Sequence, residues 1–561
     1  MRFTLFFALF FSFIAVFGQP KAVKNAYASV ASVLAYKDGT LKADGSAVFV
    51  GGNGDILASR KIFEGADSAV VIDNAGKVRS VKHIVGIDNM FDCVKVRVAS
   101  DKKIKSVALS SAKVNVGEEL YMLTYGVKKN VGVEAFKVLA VDSVYSLAYY
   151  TLDHPADERC LSYPLINGNG ELVALMQPSS SGDTVKCYAV SSSLSSSLVS
   201  STRNYGKGFY PGMNIRTAMP AEQSDALSCL YMQAIMGDSI SWGAAIDDYI
   251  SLYPQSYEGY QSLAEYTAVC RRDMEHADEA WKKALTLAEN KAEVYFGKGK
   301  VIKEIVQGGD SLSHAMLSYD NALAQIDKAV SIDANPLYVS YKADMLFGLH
   351  RYNDAATCYE SLAVTDMRGA DIFAKGAQCH VMMGEHDKAL ALLDSAVCCF
   401  GVNDKNVAPY ILTRAIVKSS AKRYREAVRD MNSYEEIVGG MLTADFYYMR
   451  EQAELNCKMY QQALNDIETA IDLVPGNVLY YLEKGMLCYR VKFTEEGIRT
   501  MQKACEIAPE AADVYYLLGR LYMQQGDKEK AKPALETAVE LGHPDAEIQL
   551  QSIMADPIQD K

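Results

Sequence analysis

From residue 222 onward the chain repeats itself at a fixed interval. Gly485 and Gly519 lie 34 residues apart, as do Ala470 and Ala504, and Ala504 and Ala538. Ala463, Ile467 and Pro475 hold in one unit the places that Gly497, Met501 and Pro509 hold in the next. A period of this length marks a solenoid, in which each unit is one helix pair that cannot bury its apolar face alone. The residue types fit that geometry. Small residues let the paired helices approach, large ones such as Tyr515, Leu518, Tyr522 and Leu535 fill between them, and proline ends the second helix. A generic helical bundle has no reason to keep the period.

Weaker units centre on Ala427, on Ala389 with Ala396, on Ala355 with Tyr359, on Ala322 with Ala329, on Trp281 with Ala284, and on Ala245 with Tyr249. The spacing predicts about nine units over 222–545, with an irregular insertion or half repeat at 291–318 and a tail at 546–561. The pattern is similar to the tetratricopeptide repeat (TPR), an all-α superhelix. That resemblance implies a concave groove, lined by the first helix of each unit, that holds a peptide or a partner protein. Tyr447, Tyr448, Tyr480, Tyr481, Tyr515 and Tyr516 sit on those first helices. One tyrosine of each pair is expected as a core wedge. The other either lines the groove, where a large ring with a polar tip suits an interface, or simply packs.

Before residue 200 the texture is different. Apolar runs are short, β-branched and broken by turn residues: VASVLAYKD, GSAVFVGG, AVVIDNAGKV, CVKVRVAS, EELYMLTYG, AFKVLAVDS and ELVALMQ. Asn53-Gly54, Asn74-Ala75-Gly76 and Asn167-Gly168-Asn169-Gly170 have turn chemistry. Residues 24–198 are therefore expected to form an all-β domain of ten to twelve strands. The Ser-, Gly- and Pro-marked stretch 199–221 reads as a linker.

Four segments of that β domain, in order, carry a family likeness. They are Gly45-Ser46-Ala47-Val48-Phe49-Val50 with Ile56-Leu57-Ala58-Ser59-Arg60-Lys61; Gly86-Ile87-Asp88-Asn89-Met90-Phe91-Asp92; Val116-Gly117-Glu118-Glu119-Leu120; and Pro164-Leu165-Ile166-Asn167-Gly168-Asn169-Gly170. Together they resemble the trypsin-like serine proteases in their HtrA-like form, which implies an all-β double barrel. The resemblance places Lys61 where the family has its catalytic histidine, Asp92 at its aspartate and Leu161 at its serine. Arg159, Ser162 and Tyr163 stand where that family has glycines.

Those substitutions bear directly on chemistry. Serine hydrolysis needs a hydroxyl nucleophile, a base titrating near neutrality and backbone N–H groups turned towards the oxyanion. Leu161 has no nucleophile. An ordinary lysine titrates near 10.4, so Lys61 is protonated and no base unless buried. Asp92 is expected to pair with Lys61. One escape is a Ser162–Lys61 dyad, reached by a one-residue slip. Cys160 is a further candidate nucleophile, or half of a disulfide with Cys187 across one hairpin. His83 and His154 match no general-base position and read as satisfied surface histidines. No metal or cofactor motif occurs, so none is expected.

The first 18 residues, one arginine and then an almost wholly apolar run, read as a signal peptide cut before Gln19. The run is short for a full membrane span, and no later segment is long and apolar enough for one. The expectation is an exported chain, periplasmic or secreted, with no integral segment once cut. Twelve cysteines follow, and an oxidising compartment permits some to pair. The net charge of -12 argues against nucleic acid as a partner. Two functions from different classes fit: a non-catalytic scaffold joining a pseudo-protease domain to a peptide- or protein-binding array, and a serine peptidase with a shifted or unconventional site.

Overall fold

The computed structural model describes residues 20–99, 103–125, 132–156, 160–177, 186–206, 208–309, 314–401, 403–440 and 442–555. The expected signal peptide therefore lies outside the described residues, as does Arg159.

A short helix, α1 (Lys21–Ala26), leads into twelve strands that close into two six-stranded antiparallel barrels. The first contains β1 (Val30–Lys37), β2 (Thr40–Val50), β3 (Asp55–Ser59), β4 (Ser68–Asp73), β5 (Val78–Asp88) and β6 (Cys93–Val98), in the order β1-β2-β3-β6-β5-β4. A one-turn helix, α2 (Arg60–Phe63), follows β3. The second barrel contains β7 (Glu119–Thr124), β8 (Gly132–Val144), β9 (Leu147–Leu152), β10 (Pro164–Ile166), β11 (Leu172–Gln177) and β12 (Cys187–Ser191), in the order β10-β11-β12-β9-β8-β7. The expected all-β double barrel is the fold observed.

Period-two patterning explains the closure. Along β1, Ala31, Val33 and Ala35 point into the first barrel with Phe49, Ile56, Ile84 and Val96. Val30, on the opposite face at the start of β1, points instead to a layer between the barrels, with Val48, Leu57, Leu123, Ile166, Leu172 and Leu175. Strands buried on both faces read as continuous apolar runs, as β11 does. The β10–β11 hairpin turns on Asn167, whose Oδ1 accepts from Asn169 N and Glu171 N, both at 3.0 Å. Gly170 is required there: its φ is +80°, and a Cβ would lie 2.6 Å from the Ala22 carbonyl oxygen.

Residues 199–221, expected as a linker, instead run back over the first barrel. Ile84 N donates to Arg216 O at 2.9 Å, Ala218 N to Ile84 O at 2.7 Å, and Asn214 N to Ala66 O at 3.0 Å. Met213 and Ile215 enter the first barrel's core. Serine and glycine supply the turns of this stretch, but its few apolar residues find a surface to bury against. A further one-turn helix, α3 (Leu194–Ser197), precedes it.

The helical region runs α4 (Gln223–Met236), α5 (Ser239–Leu252), α6 (Tyr257–Val269), α7 (Met274–Leu287), α8 (Lys291–Gln307), α9 (Tyr319–Ile332), α10 (Pro336–Gly348), α11 (Tyr352–Leu362), α12 (Ala370–Met382), α13 (His386–Val397), α14 (Ala408–Ser420), α15 (Tyr424–Val438), α16 (Ala444–Asn456), α17 (Tyr460–Leu473), α18 (Val478–Val491), α19 (Thr494–Ile507), α20 (Ala512–Gln525), α21 (Lys528–Glu540) and α22 (Ala546–Ala555). In chain order this is a long array of paired helices, a TPR-like solenoid. The residues expected as a tail contain α22, which packs on α21 and buries Ala546 and Ile553. The chain divides into two compact units, Met1–Met316 and Leu317–Lys561, so the division falls inside the repeat region and not at 199–221.

The small residues act as the spacing requires. A Cβ on Gly485 would meet Met501 Cε at 2.5 Å, and one on Gly519 would meet Leu535 Cγ at 2.6 Å. The eighth residue of the first helix is Ala343, Ala377, Ala415, Gly485 and Gly519 in α10, α12, α14, α18 and α20, all small. In α16 it is Glu451.

Candidate functional site

The first candidate is the region where the trypsin-like likeness places its catalytic residues. β3 ends at Ser59, and α2 begins beside the turn that carries Asp92 between β5 and β6. Arg60 N donates to Asp92 O at 3.0 Å, which fixes the register of α2. Ser59 Oγ donates to Asp92 Oδ2 at 2.5 Å, and Arg60 Nε lies 3.4 Å from Asp92 Oδ1. The cation facing Asp92 is thus Arg60, not the expected Lys61. The physical reason is the helical turn. One residue on, the side chain is rotated by about 100°, and Lys61 is exposed to solvent.

The other half of the region lies at the start of β10. Leu161 is half-buried. Ser162 is fully buried at φ +60°, its N–H donates to Met176 O at 2.8 Å, and its Oγ has no hydrogen-bond partner. Tyr163 N donates to Cys160 O at 3.0 Å. The two N–H groups are spent inside the fold and do not face a substrate. A fully buried Ser162 and an exposed Lys61 do not form the Ser–Lys dyad. Gln177 Nε2, from β11, donates to Phe91 O at 3.1 Å and ties the second barrel to the Asp92 turn.

His154 stacks on Phe136 with ring centres 4.0 Å apart and bonds to Asp153 and Glu134 at 2.8 and 3.2 Å. His83 lies 3.5 Å from Asp248 on α5. Asp248 also holds Arg216 at 2.8 Å and accepts from Tyr205 at 3.0 Å. Three barrel-side residues therefore converge on one carboxylate of the first helix pair, and burial beside Asp248 pushes the Tyr205 phenol far up. The structure contains no disulfide among the described residues, although Cys160 and Cys187 share the second barrel's core cluster. Burial pushes the Cys187 thiol up to about 12, so it is a poor nucleophile.

The second candidate is the array. A groove of about 1010 Å³ opens along α10, α12 and α14, the first helices of three successive pairs. Its walls include Ile372, Val381, Phe400, Ile416 and Val417, with Gln378, Asn406 and Thr413 as polar groups. Asp371 lies at its edge, exposed, and accepts from the Tyr410 hydroxyl. Lys375 is paired with Asp344 at 2.8 Å.

The tyrosines marked in the sequence are mostly packing residues. Tyr480 and Tyr481 are both buried and bond to Asp445 and the Pro475 carbonyl, each at 3.1 Å. Tyr516 stacks on His543 with ring centres 3.8 Å apart. The sequence reading missed a ladder of basic residues just before the small position of the first helices. Lys342 pairs with Asp327 at 2.7 Å; Arg414 with Asp394 and Asp430 at 2.7 and 2.8 Å; Arg450 with Glu435 and Asp466 at 2.5 and 2.6 Å; Lys484 with Glu468 and Glu496 at 3.0 and 2.7 Å. Arg414, Arg450 and Lys484 each bridge the second helices on either side. The signal was present, since Arg450 and Lys484 also lie 34 apart, but it concerns stability and not ligand chemistry.

Residues 512–541 match the tetratricopeptide-repeat family. That match covers α20 and α21. The chain is also 23% identical over 197 residues to the human mitochondrial import receptor subunit TOM70, covering 34% of this chain and 32% of that protein. The mouse protein of the same name matches at 23% over 195 residues, covering 34% and 31%. The chain thus spans about a third of the length of the curated relatives it matches. Among solved structures, YrrB, a TPR protein described as having an unusual peptide-binding site, matches with 20% identity and a TM-score of 0.30, covering 35% of this chain and 99% of that one. No helix among the described residues is long and apolar enough to cross a membrane.

Proposed function

We propose that this chain is an exported, non-catalytic interaction protein in which a degenerate trypsin-like domain is joined to an array that holds a peptide or a partner protein. The groove along α10, α12 and α14 carries the reading. It is open, largely apolar and provided with a few polar side chains, the composition of a recognition surface. Protein or peptide binding by the TPR-like array is the coarse function that the repeat match supports. The pseudo-protease identity rests on the two-barrel topology, the position of Asp92 and the absence of a nucleophile–base pair among the described residues. Export rests on the apolar first residues. The acidic balance disfavours nucleic acid, and no cofactor is called for.

The test compares the full chain with a Thr413→Trp/Ile416→Trp variant that fills the groove. Both are used to capture proteins from envelope and secreted fractions and are treated with a fluorophosphonate probe. The expected result is a set of captured proteins lost in the filled variant, with no labelling of either chain. Labelling that Ser162→Ala abolishes, or hydrolysis of a peptide library, establishes a peptidase instead.

A further inference from the structure

We infer that the groove walled by α10, α12 and α14 takes an extended peptide segment in which one lysine or arginine is flanked by aliphatic side chains, with Asp371 as the partner of the cation. The inference rests on the peptide-binding reading above and adds the chemistry of the ligand.

The charges on the groove wall decide it. Only Asp371 and Lys375 among the lining residues are ionised. Lys375 is committed: its ammonium lies 2.8 Å from Asp344. Its charge is therefore cancelled within the wall, and it offers little to an incoming carboxylate. Asp371 has no such cancellation. Its hydrogen-bond donor is the neutral Tyr410 hydroxyl, and no cationic side chain among the described residues lies within ion-pair distance of it. The same carboxylate pushes the Tyr410 phenol up to about 12, so that group remains a neutral donor. Asp371 stands in the first turn of α12, where the helix dipole contributes roughly half a positive charge. That offsets only part of its charge. What remains is one exposed carboxylate at the edge of an apolar trough.

The rest of the wall fixes the neighbours of the cation. Ile416 is 42% exposed at the groove surface, and Ile372, Val381 and Val417 lie along the same wall. An aliphatic side chain of the ligand is favoured there because its apolar surface leaves water. Ser340 and Gln378 offer side-chain donors and acceptors to a peptide backbone, while Asn406 Nδ2 already donates to Asp404 at 2.9 Å and Thr413 Oγ1 to the Pro409 carbonyl at 2.8 Å, which leaves these two mainly as acceptors. Three neighbouring helices about 8–10 Å apart span room for some six extended residues. An acidic segment would instead set its carboxylates against Asp371 with no unpaired cation among the lining residues to receive them.

The probes are fluorescein-labelled octapeptides on one leucine–alanine framework, with a central lysine, glutamine or glutamate, titrated into the full chain and read by anisotropy. The lysine peptide is expected to bind about five-fold more tightly than the glutamine peptide, and the glutamate peptide most weakly. Asp371→Asn should erase the lysine advantage and leave the glutamine peptide unchanged. Ile416→Arg should weaken all three, the lysine peptide most. Asp371 and Ile416 are exposed, so unchanged melting temperatures are expected and are measured alongside. Equal binding of the three peptides, a preference for glutamate, or a lysine preference that survives Asp371→Asn overturns the inference. So does the absence of binding up to about 1 mM. The wider reading is judged separately by the groove-filled variant. If capture is still lost there while these peptides fail, the array binds partners of other chemistry.

Discussion

Arg450 on α16 holds Asp466 on α17 through two hydrogen bonds, Nε to Oδ2 at 2.6 Å and Nη2 to Oδ1 at 2.8 Å, with both side chains buried. Its Nη1 reaches back to Asn432 at 3.0 Å and Glu435 at 2.5 Å on α15. One guanidinium therefore fastens three consecutive helices. Breaking such a pair leaves an uncompensated buried charge. Arg450→Met should cost about 3–4 kcal/mol in urea unfolding of the full chain. A double variant with Asp466→Leu should recover much of that. A double variant no more stable than the single one would show that the pair acts only as packing.

The same helix carries a weakness with a predictable pH dependence. Glu451 and Glu454 are almost fully buried, and Glu451 Oε1 and Glu454 Oε2 have no hydrogen-bond partner. Burial first, then Glu483 and Asp466, pushes Glu451 up to about 7. Burial and then Asp466, only partly offset by Arg450, pushes Glu454 up to about 8. Both folded values exceed the ordinary 4.5. The folded chain therefore keeps protons that the unfolded chain has released. The associated stability is intact below about 4.5 and is lost as pH rises through about 7 and 8. Glu451→Gln/Glu454→Gln should flatten this decline and raise stability at about pH 8.5 by about 2 kcal/mol. Urea midpoints across the pH range decide it, and parallel curves for the two proteins would count against it.

Asp248 is the shared partner of His83, Tyr205 and Arg216. Asp248→Ala should leave Arg216, which is 23% exposed, without its carboxylate, at a cost of about 1–3 kcal/mol. Hydrogen exchange should accelerate in 205–217 and in α5 before it does elsewhere. Unchanged exchange in both segments would mean that the network does not join the barrel to the first helix pair.

Around α2, substitutions at Lys61 and at Asp92 should behave differently. Lys61→Ala is expected to shift stability by less than about 0.5 kcal/mol, as exposed positions do. Asp92→Ala removes the acceptor of the Ser59 hydrogen bond and the partner of Arg60, and should cost about 1–2 kcal/mol. Thermal unfolding of the two variants reads the difference. Equal effects would place Lys61, not Arg60, at the carboxylate.

Ser162 combines a left-handed φ of +60° with a buried hydroxyl that has no partner. Ser162→Gly should therefore stabilise the chain by about 1 kcal/mol. A loss of stability would point to a partner that the hydroxyl meets in solution.

The sequence by itself determined the two architectures, because both are written in local periodicity. Alternation over six to eight residues specifies a strand, and small residues recurring every 34 specify stacked helix pairs, whatever lies beyond them. It also showed that Leu161 has no hydroxyl to offer. Only the tertiary structure decided which neighbour of Asp92 carries the facing charge, since Arg60 and Lys61 are equivalent in composition and differ by one step of a helical turn. Only it decided that 199–221 packs, since Met213 and Ile215 need a barrel surface that the linear chain does not display. The groove follows the same rule. Asp371 and Lys375 are two ordinary surface charges in the sequence. That one is cancelled by Asp344 and the other is not depends on helices brought together by folding, because Coulomb interactions act through space and not along the chain.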